Sequence, residues 1–408
     1  MTFPSNRAPV QARKIADPAF VAIVTLLLVS CGGKVPLDRD RPNVIVLVVD
    51  SLRADHLGAY GYNASATPRM DEFARTATVY EHAAATSPSC LPSHASMLTG
   101  KLPYAHAAHR HLTNEGDLIE MPLADHHVTL AEMLRELGYD TGAFLANQAA
   151  LAAANIDQGF MRFDVRRETA AAKNRRIRGW VADRNRPFFL FVNYMDAHRP
   201  FQVRRTGWRF YQDVDTERPW QAFADAVANG PSSHAAMLAG EVVGHYDAAI
   251  ANVDRSVGEL LDWLKSEGLY ENTIIVLTSD HGQAFGEHDY VGHGYALYEG
   301  ELHVPLMVKY PGQRVGGSQS GLISTLYLPR LVLDEIPEAA EDNVRRTFEA
   351  VSADAFTFAE NYYPPEGAHS QAAEGVQRVS AAAYDWPFNL VAGADTHREL
   401  YDLREDPR

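Results

Sequence analysis

Three continuous apolar runs dominate the hydrophobic pattern of the chain. They cover Asn43–Val49, residues 187–193 and Thr273–Thr278, and they are rich in β-branched and aromatic side chains. A strand buried on both faces of a parallel sheet has such an uninterrupted run, whereas a half-exposed strand alternates. A shorter segment, residues 78–82, also predicts a strand. The pattern therefore predicts an α/β fold with a mixed, mainly parallel sheet.

Two longer segments have the periodicity of helices. Apolar residues recur every three or four positions over residues 128–137 and again over residues 235–268, where Gly268 is a stop signal. Helices that alternate with buried strands are typical of layered α/β proteins, so we expect helices on both faces of the sheet. Beyond residue 315, short alternating segments at 355–362 and 378–391 predict a small C-terminal α+β lobe with an antiparallel sheet.

Residues that could bind a metal or take part in catalysis follow all three apolar runs. Asp50 follows the first, His198 lies in the segment after the second, and Asp280 and His281 follow the third. In α/β proteins the carboxyl ends of parallel strands meet at one edge, which is where ligands bind. Taken singly, Asp50 is also compatible with a helix cap, and His198 with a solvated loop residue. Together they predict a metal site, and the imidazole suits manganese, iron or zinc better than calcium.

A further helix is predicted to begin at Cys90 and to end at Gly100. Cys90 would then lie at a helix N-terminus, where unpaired N–H groups favour an anion and lower the pKa of a thiol. Transfer of a phosphoryl or sulfuryl group requires a nucleophile at an anion site. The alternative interpretation is a small buried cysteine that merely precedes a helix.

The composition of the chain limits which classes of molecule it can bind. The chain has 408 residues, 46% of them hydrophobic, which is enough for a large core. A net charge of −15 argues against nucleic acid as a partner. A metal and a helix end can nevertheless bind an anionic substrate locally. The two cysteines, Cys31 and Cys90, do not provide a disulfide framework.

The first 30 residues have the pattern of a secretory signal. Arg7, Arg13 and Lys14 precede an apolar run at 20–29 that is too short to span a bilayer. Leu-Val-Ser-Cys at 28–31 resembles a bacterial lipobox, in which the cysteine is lipidated. We therefore expect a lipoprotein signal peptide at 1–30, a lipid anchor at Cys31 and a tether at 31–41. The protein would lie in the cell envelope, on a bacterial membrane, facing the periplasm or the exterior. An ordinary secretory signal cleaved nearby is the alternative.

The stretch from Cys90 resembles the signature of the sulfatase family, Cys-x-Pro-Ser-Arg followed three residues later by Leu-Thr-Gly. The matching residues are Cys90, Pro92, Ser93, Leu98, Thr99 and Gly100. In that family a maturase oxidises the cysteine to formylglycine, whose hydrate attacks the ester, so the resemblance implies this role for Cys90. His94 stands where the family has an arginine that supports the nucleophile and helps the maturase to recognise the cysteine.

The resemblance covers roughly residues 42–407 and implies further site residues. Asp50, Asp280, His281 and residue 90 are implied to bind one divalent cation, calcium in most of the family. His198 and His293 are implied to contact the ester and to protonate the leaving oxygen.

Besides His94, two places depart from the family pattern. At 145–148 the chain has Leu-Ala-Asn-Gln where many sulfatases have Gly-Lys-Trp-His, so Ala146 stands in place of a sulfate-binding lysine and Asn147 is a stand-in for it. Ser51 replaces the second of two successive aspartates, which argues against a calcium site made of four carboxylates.

The implied function is metal-dependent hydrolysis of a small-molecule or glycan sulfate ester by a catalytic domain at 42–315, followed by a subdomain at 316–408. Asp-His-Gly at 280–282 is also the pattern of phosphodiesterases and phosphonate monoester hydrolases of the alkaline phosphatase superfamily, which are the alternative. A surface lipoprotein that keeps the fold without catalysis is a third interpretation, because Ser51, His94 and Ala146 depart from the family pattern.

Overall fold

The computed structural model describes residues 41–63, 67–112, 118–201, 215–230, 232–294, 296–340, 357–362, 380–385, 388–393 and 398–404. The predicted signal peptide, Cys31 and nearly all of the predicted tether lie outside these ranges. Within them, no helix combines the length and the apolar character needed to cross a membrane.

The described strands are β1 (Asn43–Val49), β2 (Thr78–Ala84), β3 (Arg110–Leu112), β4 (Leu118–Glu120), β5 (Asp140–Leu145), β6 (Arg162–Val165), β7 (Phe188–Tyr194), β8 (Thr273–Thr278), β9 (Ala284–Phe285), β10 (Val291–Gly292), β11 (Leu306–Lys309), β12 (Gly317–Ser324), β13 (Thr357–Asn361), β14 (Ser380–Asp385), β15 (Phe388–Gly393) and β16 (Arg398–Asp402). The described α-helices are α1 (Pro68–Ala74), α2 (Cys90–Thr99), α3 (Pro103–His106), α4 (Leu130–Glu136), α5 (Gln148–Leu151), α6 (Ala170–Ala182), α7 (Glu217–Asn229), α8 (Ser232–Ser266), α9 (Glu299–Leu302) and α10 (Leu328–Leu333).

Eight of these strands form one sheet in the order β12-β2-β11-β8-β1-β7-β5-β6. β1 lies near its centre, parallel to both β8 and β7. β7 is parallel to β5, β5 to β6, and β12 to β2. β11 runs antiparallel to both of its neighbours, β8 and β2. The prediction of a mixed, mainly parallel sheet is therefore confirmed.

β1 shows why the apolar runs are uninterrupted. Ile45, Leu47 and Val49 pack into a cluster with α6, α7 and α8 on one face of the sheet. Val44, Val46 and Val48 point the other way, into a cluster with α2, α4 and α10. Because both faces are covered by helices, every position of the strand is buried. The predicted helices on both faces are confirmed.

Helix ends follow local hydrogen bonding more closely than the apolar periodicity. The predicted helix at 128–137 begins at Leu130, because the side chain of Thr129 accepts the Glu132 amide while the Glu132 carboxylate accepts the Thr129 amide. The predicted helix at 235–268 runs from Ser232 to Ser266, and Gly268 follows it with a φ of 69°.

β13 to β16 form a separate four-stranded antiparallel sheet, which confirms the predicted C-terminal sheet. A small apolar cluster containing Leu302, Val304 and Ala382 packs against it. The domain division after residue 315 stays a prediction, because β12, which follows that point, still belongs to the large sheet.

Candidate active site

The carboxyl ends of β1 and β8 bring the predicted ligands together with the start of α2. Asp50 follows β1, Asp280 and His281 follow β8, and Cys90 is the first residue of α2. One ligand atom from each of these four buried residues lies within 4.8 Å of all the others. Residues that are far apart in sequence thus form one polar cluster under the edge of the sheet.

The imidazole of His281 is oriented by its own backbone. Its Nδ1 lies 2.9 Å from the carbonyl oxygen of Gly282, which accepts a hydrogen bond from it and leaves Nε2 unprotonated in the neutral ring. That Nε2 lies 3.2 Å from the Cys90 Sγ atom. A Cβ on Gly282 would lie 2.1 Å from the Gly300 oxygen, so only glycine fits this close backbone crossing.

Asp50 accepts hydrogen bonds on both carboxylate oxygens. Asn147 Nδ2 and Asn193 Nδ2 donate to Oδ2 over 3.1 and 3.2 Å, and the Ser51 hydroxyl lies 3.2 Å from Oδ1. Burial opposes ionisation of Asp50, but nearby imidazoles, His198 first, and the Asn147 hydrogen bond outweigh burial and lower its pKa.

Asp280 is less well satisfied. Its Oδ1 accepts the backbone amides of Ser51 and His281, whereas its buried Oδ2 has no hydrogen-bond partner. Burial, followed by the charge of Asp50, raises the pKa of Asp280 to about 7. Burial also raises the pKa of the Cys90 thiol well above its usual value, and the two carboxylates add to this shift. The expectation that the helix N-terminus lowers this pKa is therefore wrong, because burial and the nearby carboxylates outweigh the helix dipole.

These residues fit a divalent cation. A buried carboxylate oxygen without a hydrogen bond needs a positive partner, and the second carboxylate nearby makes the cluster more negative. Two carboxylates and an imidazole nitrogen are typical ligands of manganese, iron or zinc, whereas calcium prefers oxygen ligands alone. The predicted metal ligands, Asp50, Asp280, His281 and residue 90, are therefore placed where they could share one ion.

His94 lies one helical turn after Cys90 and is fully buried. Its Nδ1 is 2.8 Å from the backbone oxygen of Cys90 and 3.6 Å from Asp280 Oδ2, while its Nε2 has no hydrogen-bond partner. The ring thus contacts the backbone of the predicted nucleophile rather than its thiol. The predicted catalytic role of His94 stays a prediction.

His198 and His293 form a pair at the opening of the site. Their Nε2 atoms are 3.2 Å apart, and the His293 ring stacks on that of His281 with centroids 4.2 Å apart. Burial, aided by His281 and His198, lowers the pKa of His293 well below its usual value. The structure therefore places both predicted histidines beside the predicted metal ligands. Asn147 also lies there, and it contacts Asp50.

Two residues of the site were not predicted from the sequence: Asn193 was not a candidate, and Ser51 was interpreted only as a departure from the family. Asn193 Oδ1 accepts the amides of Ala146 and Asn147, while its Nδ2 donates to Asp50. Ser51 has a φ of 61°, unusual for a residue with a side chain, and Tyr246 donates to its carbonyl oxygen. A polar residue near the end of the apolar run at 187–193 was the available signal for Asn193.

Comparisons with known proteins identify the family of this chain. A model of the sulfatase family matches residues 42–335. The ulvan-active sulfatase of Formosa agariphila is 25% identical over 335 residues, covering 71% of this chain and 61% of that protein. The N-acetylgalactosamine-6-O-sulfatase of Bacteroides thetaiotaomicron is 22% identical, covering 93% of this chain and 92% of that protein. The solved phosphonate monoester hydrolase of Agrobacterium radiobacter has a TM-score of 0.66 at 20% identity, with 90% of each chain covered.

The solved structure supports the fold alone, which is the alkaline phosphatase type expected from the sequence. The family match spans most of the chain and includes the β1 end, the Cys90 helix and the β8 end that build the site. The prediction of a sulfatase-type enzyme is confirmed at the level of the family: this chain belongs to the sulfatase family.

Proposed function

We propose that this protein hydrolyses a sulfate ester, with residue 90 as the nucleophile beside a divalent cation held by Asp50, Asp280 and His281. The observation that carries the proposal is the convergence of four buried ligand groups at the start of a ten-residue helix. The N-terminus of such a helix favours an anionic group, and the ester to be cleaved is an anion.

The bound cation would polarise an ester oxygen and lower the pKa of the nucleophile. The protein's own residues fix the geometry. Gly282 orients His281, and the two asparagines orient Asp50. Because these partners are themselves buried and hydrogen-bonded, the ligands are held in place before substrate arrives.

We propose that Cys90 is converted by a maturase to formylglycine. In this oxidation the maturase uses an external two-electron oxidant such as dioxygen: Cβ loses its C–S bond and one hydrogen, gains a carbonyl oxygen, and the sulfur leaves as hydrogen sulfide. A thiol that attacked sulfur would leave an S-sulfated enzyme with no easy exit. The aldehyde hydrate has two hydroxyls: one attacks sulfur, and the other then expels sulfate as the C=O bond re-forms. Cys90 is the described free cysteine, and it is buried at this helix start.

The leaving oxygen needs a proton, for which His198 and His293 are the candidates. The geometry favours His198, because it is half-buried at the opening while His293 is stacked against His281. The low pKa of His293 keeps that ring neutral. A neutral His293 can form a hydrogen bond with the His198 ring and so orient that ring toward the substrate.

The proposed substrate is a sulfated glycan or a smaller sulfate ester, by analogy with the two sulfatases compared above. The competing function is hydrolysis of a phosphonate monoester or phosphodiester. It is favoured by His281 as a proposed ligand and by the fold shared with the phosphonate monoester hydrolase.

Parallel turnover tests this proposal. Purified protein from a host with a maturase should hydrolyse nitrophenyl sulfate faster than the corresponding phosphodiester and phosphonate monoester. Cys90→Ala should abolish activity, and peptide mass spectrometry should find residue 90 with CHO in place of CH2SH. A phosphodiester rate larger by orders of magnitude would favour the competing function. An alkylatable thiol in fully active enzyme would exclude the formylglycine route.

The location of the protein is a separate proposal. We propose that Cys31 is lipidated and that the catalytic unit faces the periplasm or the exterior from a bacterial membrane. The support is the lipobox-like sequence at 28–31. Detergent-phase partitioning of the wild type, lost in Cys31→Ala, would support the anchor, whereas equal aqueous partitioning would exclude it.

A further inference from the structure

A strongly basic segment lies on one edge of this acidic protein. Residues 162–186 contain nine lysines and arginines and three acidic residues, in a chain whose net charge is −15. The segment consists of the edge strand β6, the following loop, helix α6 and the four residues after that helix. We call it the β6–α6 surface.

Two of the three acidic groups of this surface are buried or half-buried, whereas five of its nine cations are exposed. Asp164 is buried, and Arg162, Arg166 and Arg176 surround it. Glu168 pairs with Arg176 and with the buried Lys173. The exposed cations are Arg162, Arg166, Arg167, Arg175 and Arg186, while Asp183 is the exposed acid of the segment. The outer face therefore keeps a positive charge.

The sheet fixes where this surface lies relative to the site. β6 is separated from β1 by β7 and β5. The Asp50 amide donates to Tyr194, and the Arg166 amide donates to Leu145, so both residues leave the sheet at its carboxyl edge. Three strand spacings of about 4.8 Å place the two backbones roughly 14 Å apart. Asp196, two residues before His198, accepts the amide at the start of α6.

We propose that the β6–α6 surface binds neighbouring sulfate groups of a polyanionic glycan whose scissile ester lies at residue 90. This inference rests on the sulfatase function proposed above. The end of the surface at Arg166 and Arg167 is too far away to contact the scissile sulfate itself, but it lies within a few linked sugar rings of it. The guanidinium group of arginine can donate two parallel hydrogen bonds to one sulfate, and several exposed arginines suit a polymer that carries repeated sulfates.

The test uses two exposed arginines that form no ion pair in the part of the chain the structure describes. The variant Arg167→Glu/Arg175→Glu changes the charge of the surface and leaves the ligands intact. Arg314→Glu/Arg330→Glu is the matched control, because both of its arginines lie near β12 at the opposite edge of the sheet. Turnover of a polysulfated glycan and of nitrophenyl sulfate is measured at low and high salt, together with retention on immobilised dextran sulfate.

We expect the test variant to lose about tenfold in kcat/KM on the polymer at low salt, through KM, because remote charges act on encounter and binding. Its rate on nitrophenyl sulfate should match the wild type, and it should leave dextran sulfate at lower salt. The control should behave like the wild type in all three assays.

Equal losses on both substrates, equal losses in test and control variants, or an unchanged polymer KM would overturn the proposal. So would binding to phosphatidylglycerol vesicles that is lost in the test variant while the polymer KM is unchanged. If no sulfate ester is hydrolysed at all, the proposed function fails. Retention on dextran sulfate still reports on the surface in that case: a difference between test and control variants supports it, and no difference overturns it.

Discussion

At the scale of single residues, the site depends on buried groups that have no chemistry of their own. Asn193 is the clearest case. Its side-chain amide accepts hydrogen bonds from the backbone N–H groups of residues 146 and 147 and also donates one to Asp50. It thereby links the ends of β1, β5 and β7, which lie side by side in the sheet. Substituting it should disturb the metal site as well as the fold.

We predict that Asn193→Ala lowers the free energy of unfolding by about 2–4 kcal/mol, because two buried amides and one carboxylate lose a hydrogen bond. It should also weaken the binding of divalent cations, since Asp50 is no longer fixed. Urea unfolding and metal titration measure the two effects.

Asn174→Ala is the control for Asn193→Ala. Asn174 is also buried, and it bonds Tyr194 and Ser256 away from the ligands. It should lose stability and keep its metal affinity. Equal metal affinity in the two variants would show that Asn193 has only a structural role.

At the scale of elements, the sequence predicts a strand whose apolar residues form an uninterrupted run. It does not predict a strand that forms only because it pairs with a segment far away in the chain. β1, β7 and β8 were predictable because burial on both faces requires an uninterrupted apolar run. The residues that follow them were therefore recognisable as site candidates. β12 was not predictable: it is polar and mostly exposed at the edge, and it is held by pairing with β2.

The positive φ of Ser51 and the Asp280 Oδ2 atom without a hydrogen-bond partner could not be predicted from the sequence either. Both arise where β1 and β8 end side by side. Ser51 bonds the carboxylates of Asp50 and Asp280 through its hydroxyl and its amide, respectively. A family pattern with a second aspartate at this position gives no indication of such a bridge.

The loops after β1 and β8 are also joined by Arg53, which is buried and pairs with Asp55 and Glu287 at 2.7 Å each. Burial opposes ionisation of the two carboxylates, but the Arg53 charge outweighs it. The guanidinium lowers the pKa of Asp55 to about 2 and lowers that of Glu287. A carboxylate with a lowered pKa stabilises the fold above its unfolded-state pKa, and this stabilisation is lost as the pH falls toward the folded-state value.

We therefore predict that the free energy of unfolding falls as the pH drops below about 5, and that Glu287→Gln makes this fall shallower. At pH 7 the variant should be less stable by about 1–2 kcal/mol, since Arg53 keeps Asp55 but loses one half-buried charge partner. Urea unfolding at a series of pH values measures both effects.

Glu72→Gln is the control for Glu287→Gln, because Glu72 is an exposed partner of Arg69. The control should follow the wild type. Identical pH profiles for wild type and Glu287→Gln would contradict the assignment.

At the scale of the whole molecule, cation binding should be coupled to folding. The proposed ligands come from the ends of β1 and β8 and from the start of α2, so an ion bound by all of them connects three distant parts of the chain. An ion that binds only the folded protein stabilises it by about 2.7 kcal/mol at a hundredfold excess over Kd. A fold that has lost its metal site would show no such gain.

If a cation binds only the folded protein, adding it should raise the Tm and removing it should lower the Tm. Manganese or zinc should raise the Tm of the wild type, and EDTA should reverse the rise. Asp280→Asn should abolish the response because it removes a ligand. In EDTA, however, the variant should be at least as stable as the wild type, because a neutral amide removes the repulsion within the buried carboxylate pair.

Asp254→Asn is the control, because it changes another buried carboxylate, on α8, and it should keep the full metal response. Scanning calorimetry of the three proteins, each with and without metal, measures these effects. A Tm of the wild type that is unchanged by EDTA and by each metal would favour a sulfatase fold without catalysis, and a retained response in Asp280→Asn would exclude Asp280 as a ligand.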